Sequence, residues 1–267
     1  MTEPLSCCQC HNDNYTAHVN TSSGWYSSCL HGGVATAIAY HGTKGHLPAH
    51  HIPKRLVMTL LKPVPLGPLS VKTDILRTGR RVHTQAFGLY IDQQRLAYGT
   101  LLSRPKSSHQ QSIMTPYDDS MRFEHATPVD VWEGWQGQQV FASSCVWVRL
   151  AFGDPLGQPG PAGIWVKAKY PLVNDELIDP WLWSVVVADF GNAIGNVVPI
   201  DSHVFINPDL EITWFRAPKG EWLGIASETQ VNGDDGLASS YLYDKNGCFA
   251  KASQTLIIQP RQLFFKE

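Results

Sequence analysis

The sequence predicts an α+β protein built from two copies of one unit, in which an antiparallel sheet wraps around a central helix. Three observations lead to this fold class. A run of strands and turns occurs twice along the chain, an apolar stretch of helical character precedes each run, and a polar segment separates the two copies.

The repeated runs extend from Leu56 to Pro105 and from Leu210 to Pro260. Alternating and β-branched segments that end in turn dipeptides are typical of antiparallel strands. The landmarks that the two runs share are Lys62-Pro63 and Arg216-Ala217-Pro218, then Leu89-Tyr90 with Asp92 and Leu242-Tyr243-Asp244. Turns and strands therefore follow one another in the same order, at an offset near 154 residues.

An apolar helix is predicted ahead of each run. The first covers His31 to Tyr40 and is expected to stop at Gly42, and the second covers Trp181 to Ile194 and is expected to stop near Gly195. Both are apolar nearly all round, as a helix buried in its own sheet must be. One antiparallel sheet around one central helix is the hot-dog fold, and two copies would pack as a pseudo-dimer, which makes a double hot-dog.

These patterns divide the 267 residues into four segments. Residues 1–23 form an N-terminal tail, 24–105 the first hot-dog repeat, 106–128 a polar linker across the surface, and 129–267 the second repeat.

Composition and charge limit the classes of partner and the cellular compartment that we expect for this protein. A formal net charge of −2 gives no reason to expect nucleic acid, and no apolar run approaches the roughly 20 residues that would cross a membrane. The N-terminus does not resemble a secretory signal, so a cytoplasmic protein with reduced thiols is expected. Cys7-x-x-Cys10-His11 matches a haem-attachment pattern, but without a second ligand cluster it is interpreted as chance or a mobile tail. Exposed sheet edges favour a homo-oligomer.

Several phrases, in this order, resemble acyl-CoA thioesterase II proteins over roughly residues 24–260. They are His31-Gly32-Gly33, the segments 62–67 and 76–80, Asn207-Pro208-Asp209-Leu210, Gly220-Glu221-Trp222 and Ala252-Ser253-Gln254-Thr255. The resemblance implies a double hot-dog fold and hydrolysis of acyl-CoA or carrier-bound thioesters, without metal or organic cofactor, in lipid or polyketide metabolism.

The same resemblance implies a catalytic set of an Asp, a hydroxyl residue and a Gln. Carried over by position, the Asp falls on Asp189 and the Gln on Gln254. The hydroxyl position falls on Asn207 or Pro208, and Asn207 keeps both donor and acceptor groups. The corresponding positions of the first repeat lack these polar groups, so the second repeat is interpreted as the chemical half.

Asp189 has the strongest case from the residues alone. It follows a run of valines in a helix that is otherwise suited to burial, and a carboxylate buried without partners is costly. Such an acid can act as a general base for water. The alternative is that Asp189 accepts backbone hydrogen bonds or faces a wetter interface. Asp209 and Thr229 are weaker rivals for the acid and hydroxyl roles.

Five further residues are candidates for oxyanion or substrate binding. Gly32 and Gly33 open the first helix, where free N–H groups can face a developing negative charge, although the glycines can equally serve close packing. His31 is a candidate acid or base. Arg77 and Arg80 flank a turn and are candidates for phosphate contacts, or are simply solvated.

Three functions stay open from the sequence. The first is thioester hydrolysis with Asp189, Asn207 and Gln254 around a water. The second is a hot-dog dehydratase, isomerase or cyclisation enzyme with His31 at its centre, and the third is an acyl-binding protein without turnover. No Gly-x-Ser-x-Gly elbow is present, so a serine acyl-enzyme is not expected.

Overall fold

The computed structural model describes residues 6–24, 26–107, 118–129, 140–154, 158–199 and 202–264. The helices are α1 (Gly32–Lys44), α2 (Phe141–Ser144), α3 (Pro180–Ala188), α4 (Gly191–Ile194) and α5 (Arg261–Phe264). The strands are β1 (Cys8–His11), β2 (Asn14–Ala17), β3 (His51–Leu60), β4 (Leu69–Thr78), β5 (His83–Ile91), β6 (Gln94–Pro105), β7 (Thr127–Val129), β8 (Val146–Asp154), β9 (Gln158–Ala168), β10 (His203–Ile206), β11 (Asp209–Trp214), β12 (Trp222–Asn232), β13 (Asp235–Asp244) and β14 (Gly247–Pro260). Within these ranges, no helix is both long and apolar enough for a membrane span.

All fourteen strands of the described residues belong to one antiparallel sheet. Its order is β1-β2-β4-β5-β6-β3-β11-β14-β13-β12-β9-β8-β7, and β10 pairs with β14 beside β11. The first half wraps around α1 and the second around α3, which places the main apolar core between the two helices and the sheet. The predicted double hot-dog fold is confirmed.

The two repeats meet at the pairing of β3 with β11, which carries an approximate two-fold symmetry. Leu56 pairs with Ile212, and Met58 pairs with Leu210. Leu210 lies 154 residues after Leu56, and Ile212 lies 154 residues after Met58, so the repeat offset exchanges the two pairs. These four side chains are almost completely buried, so the junction is part of the core rather than a seam between separate domains.

Helix α1 is longer than the sequence predicts. Gly42 does not end it but lies inside it, because the helix packs against β4 at this position. A Cβ atom on Gly42 would lie 2.7 Å from the Cβ of Val71. The glycine therefore permits a close helix–sheet approach, and the expectation that it stops the helix is wrong.

The second helix is shorter than predicted. Helix α3 ends at Ala188, and the N–H groups of Asp189 and Phe190 reach back only three residues, to the carbonyls of Val186 and Val187. This tighter turn separates α3 from α4, so the predicted continuous helix from Trp181 to Ile194 is wrong. As a consequence, Asp189 is the C-terminal cap of α3 rather than an internal helix residue.

The N-terminal tail assignment is also wrong for residues 8–17, which form the β1–β2 hairpin. Tyr15 of β2 pairs with Leu69 of β4 and is buried, so the hairpin extends the first half of the sheet. The backbone N–H of Cys7 donates to the carbonyl of Pro171, 2.9 Å away, which ties the hairpin to the second repeat. All six cysteines are free thiols.

Residues 118–126 of the predicted linker pack on the outer face of the second half of the sheet, and its last two residues, Thr127 and Pro128, belong to the edge strand β7. Met121 is completely buried there beside Trp165, and the Phe123 ring contacts Trp165 edge to face. The linker residues 108–117 lie outside the described residues.

Candidate active site

Asp189 lies where the end of α3 meets the beginning of α1, so the site combines both repeats. Its side chain is 6% exposed and accepts three hydrogen bonds. The backbone N–H of Gly33 donates to Oδ2 over 2.6 Å, and the amides of Asn207 and Gln254 donate to Oδ1 over 2.7 and 2.9 Å. Asp189 therefore accepts a backbone hydrogen bond, the alternative that the sequence left open, and three N–H groups compensate its charge.

The two glycines at the start of α1 make this contact possible. A Cβ atom on Gly32 would lie 2.9 Å from Asp189 Oδ2, and one on Gly33 would lie 2.7 Å from the carbonyl oxygen of Val186. Both positions therefore need glycine for the helix to approach so closely. The positive end of the α1 dipole also faces the carboxylate.

Because the Gly33 N–H binds Asp189, it is not available for an oxyanion, contrary to the expectation for Gly33. The Gly32 N–H makes no hydrogen bond to another described residue, and Gly32 lines the cavity discussed below. Of the two, only Gly32 retains a donor for a substrate oxygen.

Gln254, on β14, is 1% exposed and does not line the cavity. Its amide nitrogen donates to Asp189, and its amide oxygen accepts the N–H of Asn192 over 3.2 Å. Gln254 thus links α4 to the carboxylate. Its position suits holding Asp189 in place rather than contacting a water directly.

Asn207 lies between β10 and β11 and does line the cavity. Its amide nitrogen donates to Asp189, while its amide oxygen has no hydrogen bond with any described residue. That oxygen can accept a hydrogen bond from a water that also contacts the carboxylate.

His31 caps the N-terminus of α1, and its Nδ1 accepts the Gly33 N–H over 3.2 Å. Nδ1 lies 3.3 Å from Asp189 Oδ2, and the ring packs between Phe141 and Phe190, at centroid distances of 4.9 and 5.2 Å. Burial lowers the pKa of His31, and the charge of Asp189 opposes this only in part. His31 is therefore a neutral ring at neutral pH.

A cavity of about 250 Å³ opens beside this cluster, between the two repeats. Its floor includes His31, Gly32, Asp189 and Asn207, and most of its remaining wall is apolar. The apolar members are Leu30, Ala35, Leu60, Leu61, Pro63, Val64, Ala193, Val204, Phe205, Ile206 and Pro208. A pocket with apolar walls and a few convergent polar groups suits a small molecule with an apolar chain and one polar centre.

Several lining residues were missed in the sequence analysis. The β10 segment Val204–Ile206 gives no signal apart from its apolar composition, and Asn192 lies within the predicted second helix without a motif. Lys62 stands out in the sequence only as a landmark of the repeat and as part of the resemblance, yet it lines the cavity. Within the described ranges, no group of three His, Cys, Asp or Glu side chains is arranged to hold a metal ion.

Arg77 and Arg80 are not at this cavity. They flank the β4–β5 turn, beside the beginning of β3, whereas the cavity is at the end of β3. The length of β3, at about 3.3 Å per residue, puts roughly 25 Å between them. The structure therefore does not bring these two arginines to the carboxylate.

The rival residues have other surroundings. Asp209 accepts hydrogen bonds from the backbone N–H and the hydroxyl of Thr255, so it cross-links β11 to β14. Thr229 is buried on β12, the strand on which α4 packs, and does not line the cavity.

Residues 21–102 match the family model described as the acyl-CoA thioesterase N-terminal domain. No curated protein has a significant match to the sequence. A putative thioesterase II from Thermobifida fusca is similar in structure over 96% of both chains, with a TM-score of 0.73 and 15% identity. A hot-dog protein of unknown function from Alicyclobacillus acidocaldarius is similar over 96% of both chains, with a TM-score of 0.71 and 12% identity.

A third similar structure is the dehydratase domain of PpsC from Mycobacterium tuberculosis, in complex with C12:1-CoA. It has a TM-score of 0.52 and 11% identity, over 86% of this chain and 85% of that one. At these identities the structural likenesses establish the fold alone, and the sequence match to the first repeat identifies the domain. The resemblance to acyl-CoA thioesterase II proteins is therefore confirmed: residues 21–102 match the acyl-CoA thioesterase N-terminal domain, and nearly the whole chain has the double hot-dog fold.

Proposed function

We propose that the protein hydrolyses acyl thioesters with a water molecule activated by Asp189. One observation carries this proposal: a buried carboxylate, held by three N–H donors from both repeats, lies at the floor of an apolar cavity. The acyl chain would occupy the apolar part of the cavity, and the thioester carbonyl would lie next to the carboxylate.

The proposed hydrolysis proceeds in two steps and uses only water and residues of this chain. A water held by the Asp189 carboxylate and the Asn207 amide oxygen attacks the carbonyl carbon, and its proton passes to Asp189. The Gly32 N–H donates to the oxygen that becomes negatively charged. The tetrahedral intermediate then collapses, the carbon–sulfur bond breaks, and the departing thiolate takes the proton from Asp189. The products are a free acid and a free thiol.

Loss of thiol release in an Asp189 variant tests the proposal. Asp189→Asn keeps the size of the side chain but removes the base, so the rate of thiol release from acyl-CoA should fall about 10²- to 10⁴-fold. Release is measured with a disulfide reagent on a panel of acyl-CoA substrates. Asp235→Asn, at an exposed position at the start of β13, is the matched control. Full activity in a folded Asp189→Asn protein would refute the proposal.

A second candidate function is dehydration or isomerisation of an acyl thioester, and one observation favours it. His31 of the first repeat and Asp189 of the second lie 3.3 Å apart, so a neutral imidazole and a carboxylate face the same cavity. This reaction would make His31 the essential base. Turnover that persists in Asp189→Ala and disappears in His31→Ala would favour it, and absorbance of an enoyl thioester would report it.

Saturable acyl-CoA binding with no turnover at all would indicate a binding protein instead.

A further inference from the structure

The two repeats treat one shared landmark differently. Each has a basic residue shortly before a proline, just after its central strand: Lys62 in the first repeat and Arg216 in the second. The guanidinium of Arg216 binds both carboxylate oxygens of the fully buried Asp244, over 2.5 and 2.8 Å. It also donates to the carbonyls of Gly247 and Cys248. In the second repeat this basic residue is a structural clamp.

In the first repeat the same position is occupied by Lys62, which has no such carboxylate partner among the described residues. The Lys62 side chain has no hydrogen bond or ion pair with a described residue. Asp92, the acid of the corresponding turn, is not bonded to it. The backbone N–H of Lys62 donates to the carbonyl of Leu96, over 3.2 Å, which fixes its position beside β6.

The free cation lies at the mouth of the proposed active site. Lys62 is the one Lys or Arg among the described residues that line the cavity, and it lies in an exposed part of the lining, between Leu61 and Pro63. A substrate whose acyl end reaches Asp189 would therefore leave its thiol carrier beside positive charge.

We propose that Lys62 recognises the phosphate of the pantetheine arm that carries the acyl group. This inference rests on the proposed thioester chemistry. An ammonium group at the rim pairs with phosphate as a point charge, whereas the apolar wall has no other cation to do so. Coenzyme A and a carrier-bound phosphopantetheine share this phosphate, so either source fits the contact.

Binding of the thiol carrier tests the inference without requiring any turnover. Calorimetry gives the Kd of coenzyme A, phosphopantetheine and pantetheine for the wild type, Lys62→Ala and Lys106→Ala. Lys106 is an exposed lysine at the opposite end of β6 and serves as the matched control. Lys62→Ala should weaken coenzyme A and phosphopantetheine about three- to tenfold, with less loss at high salt, and leave pantetheine unchanged. Lys106→Ala should change none of them.

Unchanged coenzyme A binding, or an equal loss for pantetheine, would overturn the role of Lys62. A loss confined to coenzyme A would move the contact to its nucleotide end and would also overturn the proposal. Equal losses of affinity for coenzyme A and phosphopantetheine would support the role of Lys62 and would fit either coenzyme A or a carrier protein as the source of the phosphate. If the wild type also binds coenzyme A more tightly than phosphopantetheine, the source is free coenzyme A. Failure of hydrolysis would appear instead as absent thiol release with these Kd values unaffected.

Discussion

At the scale of single residues, the carboxylate of Asp189 is the centre of the candidate site. An isolated buried charge would be costly, but Gly33, Asn207 and Gln254 supply three N–H donors at 2.6 to 2.9 Å. The orientation of both oxygens is thereby set before any substrate arrives. Of these partners, only Asn207 also lines the cavity. We therefore infer that Asn207 contacts the water, whereas Gly33 and Gln254 position the acid.

Gln254 should act through Asp189 and not on the substrate. Gln254→Met keeps the length of the side chain but removes the donor to Asp189, so kcat should fall about 10- to 100-fold, as expected for a lost hydrogen bond to a charged group. KM should change little, because Gln254 is not in the cavity wall. Steady-state kinetics with acyl-CoA give both constants.

The control for Gln254 is Gln230→Met, at an exposed position of β12, which is separated from β14 by β13. It should leave kcat and KM unchanged. A large rise in KM with unchanged kcat in Gln254→Met would contradict the positioning role and indicate direct substrate contact.

The residue types of the site could be predicted from the sequence, but not their partners. Asp189, Asn207 and Gln254 were selected by position, and the structure brings all three together. The contact of Asp189 with Gly33 spans 156 residues, and no local pattern announces it. For the same reason the sequence predicts an oxyanion contact for the Gly33 N–H, whereas in the structure this group binds the acid.

At the scale of elements, both helices were located but their ends were misplaced. Glycine usually marks a helix end, yet Gly42 is inside α1 because the helix lies close to Val71. The apolar run after Ala188 looks helical in sequence, whereas the chain tightens at Asp189 and restarts as α4. Hydrophobic pattern reports which face is buried, and it does not report how closely two elements approach.

Gly42→Ala tests this view of α1. The added Cβ would meet the Cβ of Val71 at 2.7 Å, so the protein should lose about 1 to 3 kcal/mol of unfolding free energy, as for overpacking in a core. The change in urea midpoint measures this loss.

Gly45→Ala is the matched control, because no atom lies within 4 Å of its added Cβ and its φ of −63° suits alanine. It should be neutral or slightly stabilising. Equal effects of the two substitutions would contradict the close packing of α1 on β4.

At the scale of the whole molecule, the repeat was visible in the sequence because strands and turns recur in order. The sheet joins both copies through β3 and β11, and α1 meets α3 in the middle. Each copy contributes a part of one site: the N-terminus of α1 from the first, and the carboxylate and its amides from the second.

The placement of Arg77 and Arg80 shows the limit of local motifs at this scale. The basic turn predicts that they contact a phosphate of the substrate. Successive turns of an antiparallel sheet, however, lie at opposite ends of the strands. The β5–β6 turn and Lys62 are at the cavity end, and the β4–β5 turn is at the other. The alternation of the turns along the sequence therefore indicates that Arg77 and Arg80 lie at the end of the sheet opposite to the cavity.

The central claim is that Asp189 prepares a water that attacks the thioester directly. A single turnover with enzyme in excess, in water labelled with heavy oxygen, tests it most directly. We expect one labelled oxygen in the product acid, no label in the protein and no acyl-enzyme trapped by hydroxylamine. An unlabelled acid with label in Asp189, or a trapped acyl-enzyme, would contradict the claim, because either would make Asp189 or another side chain the nucleophile.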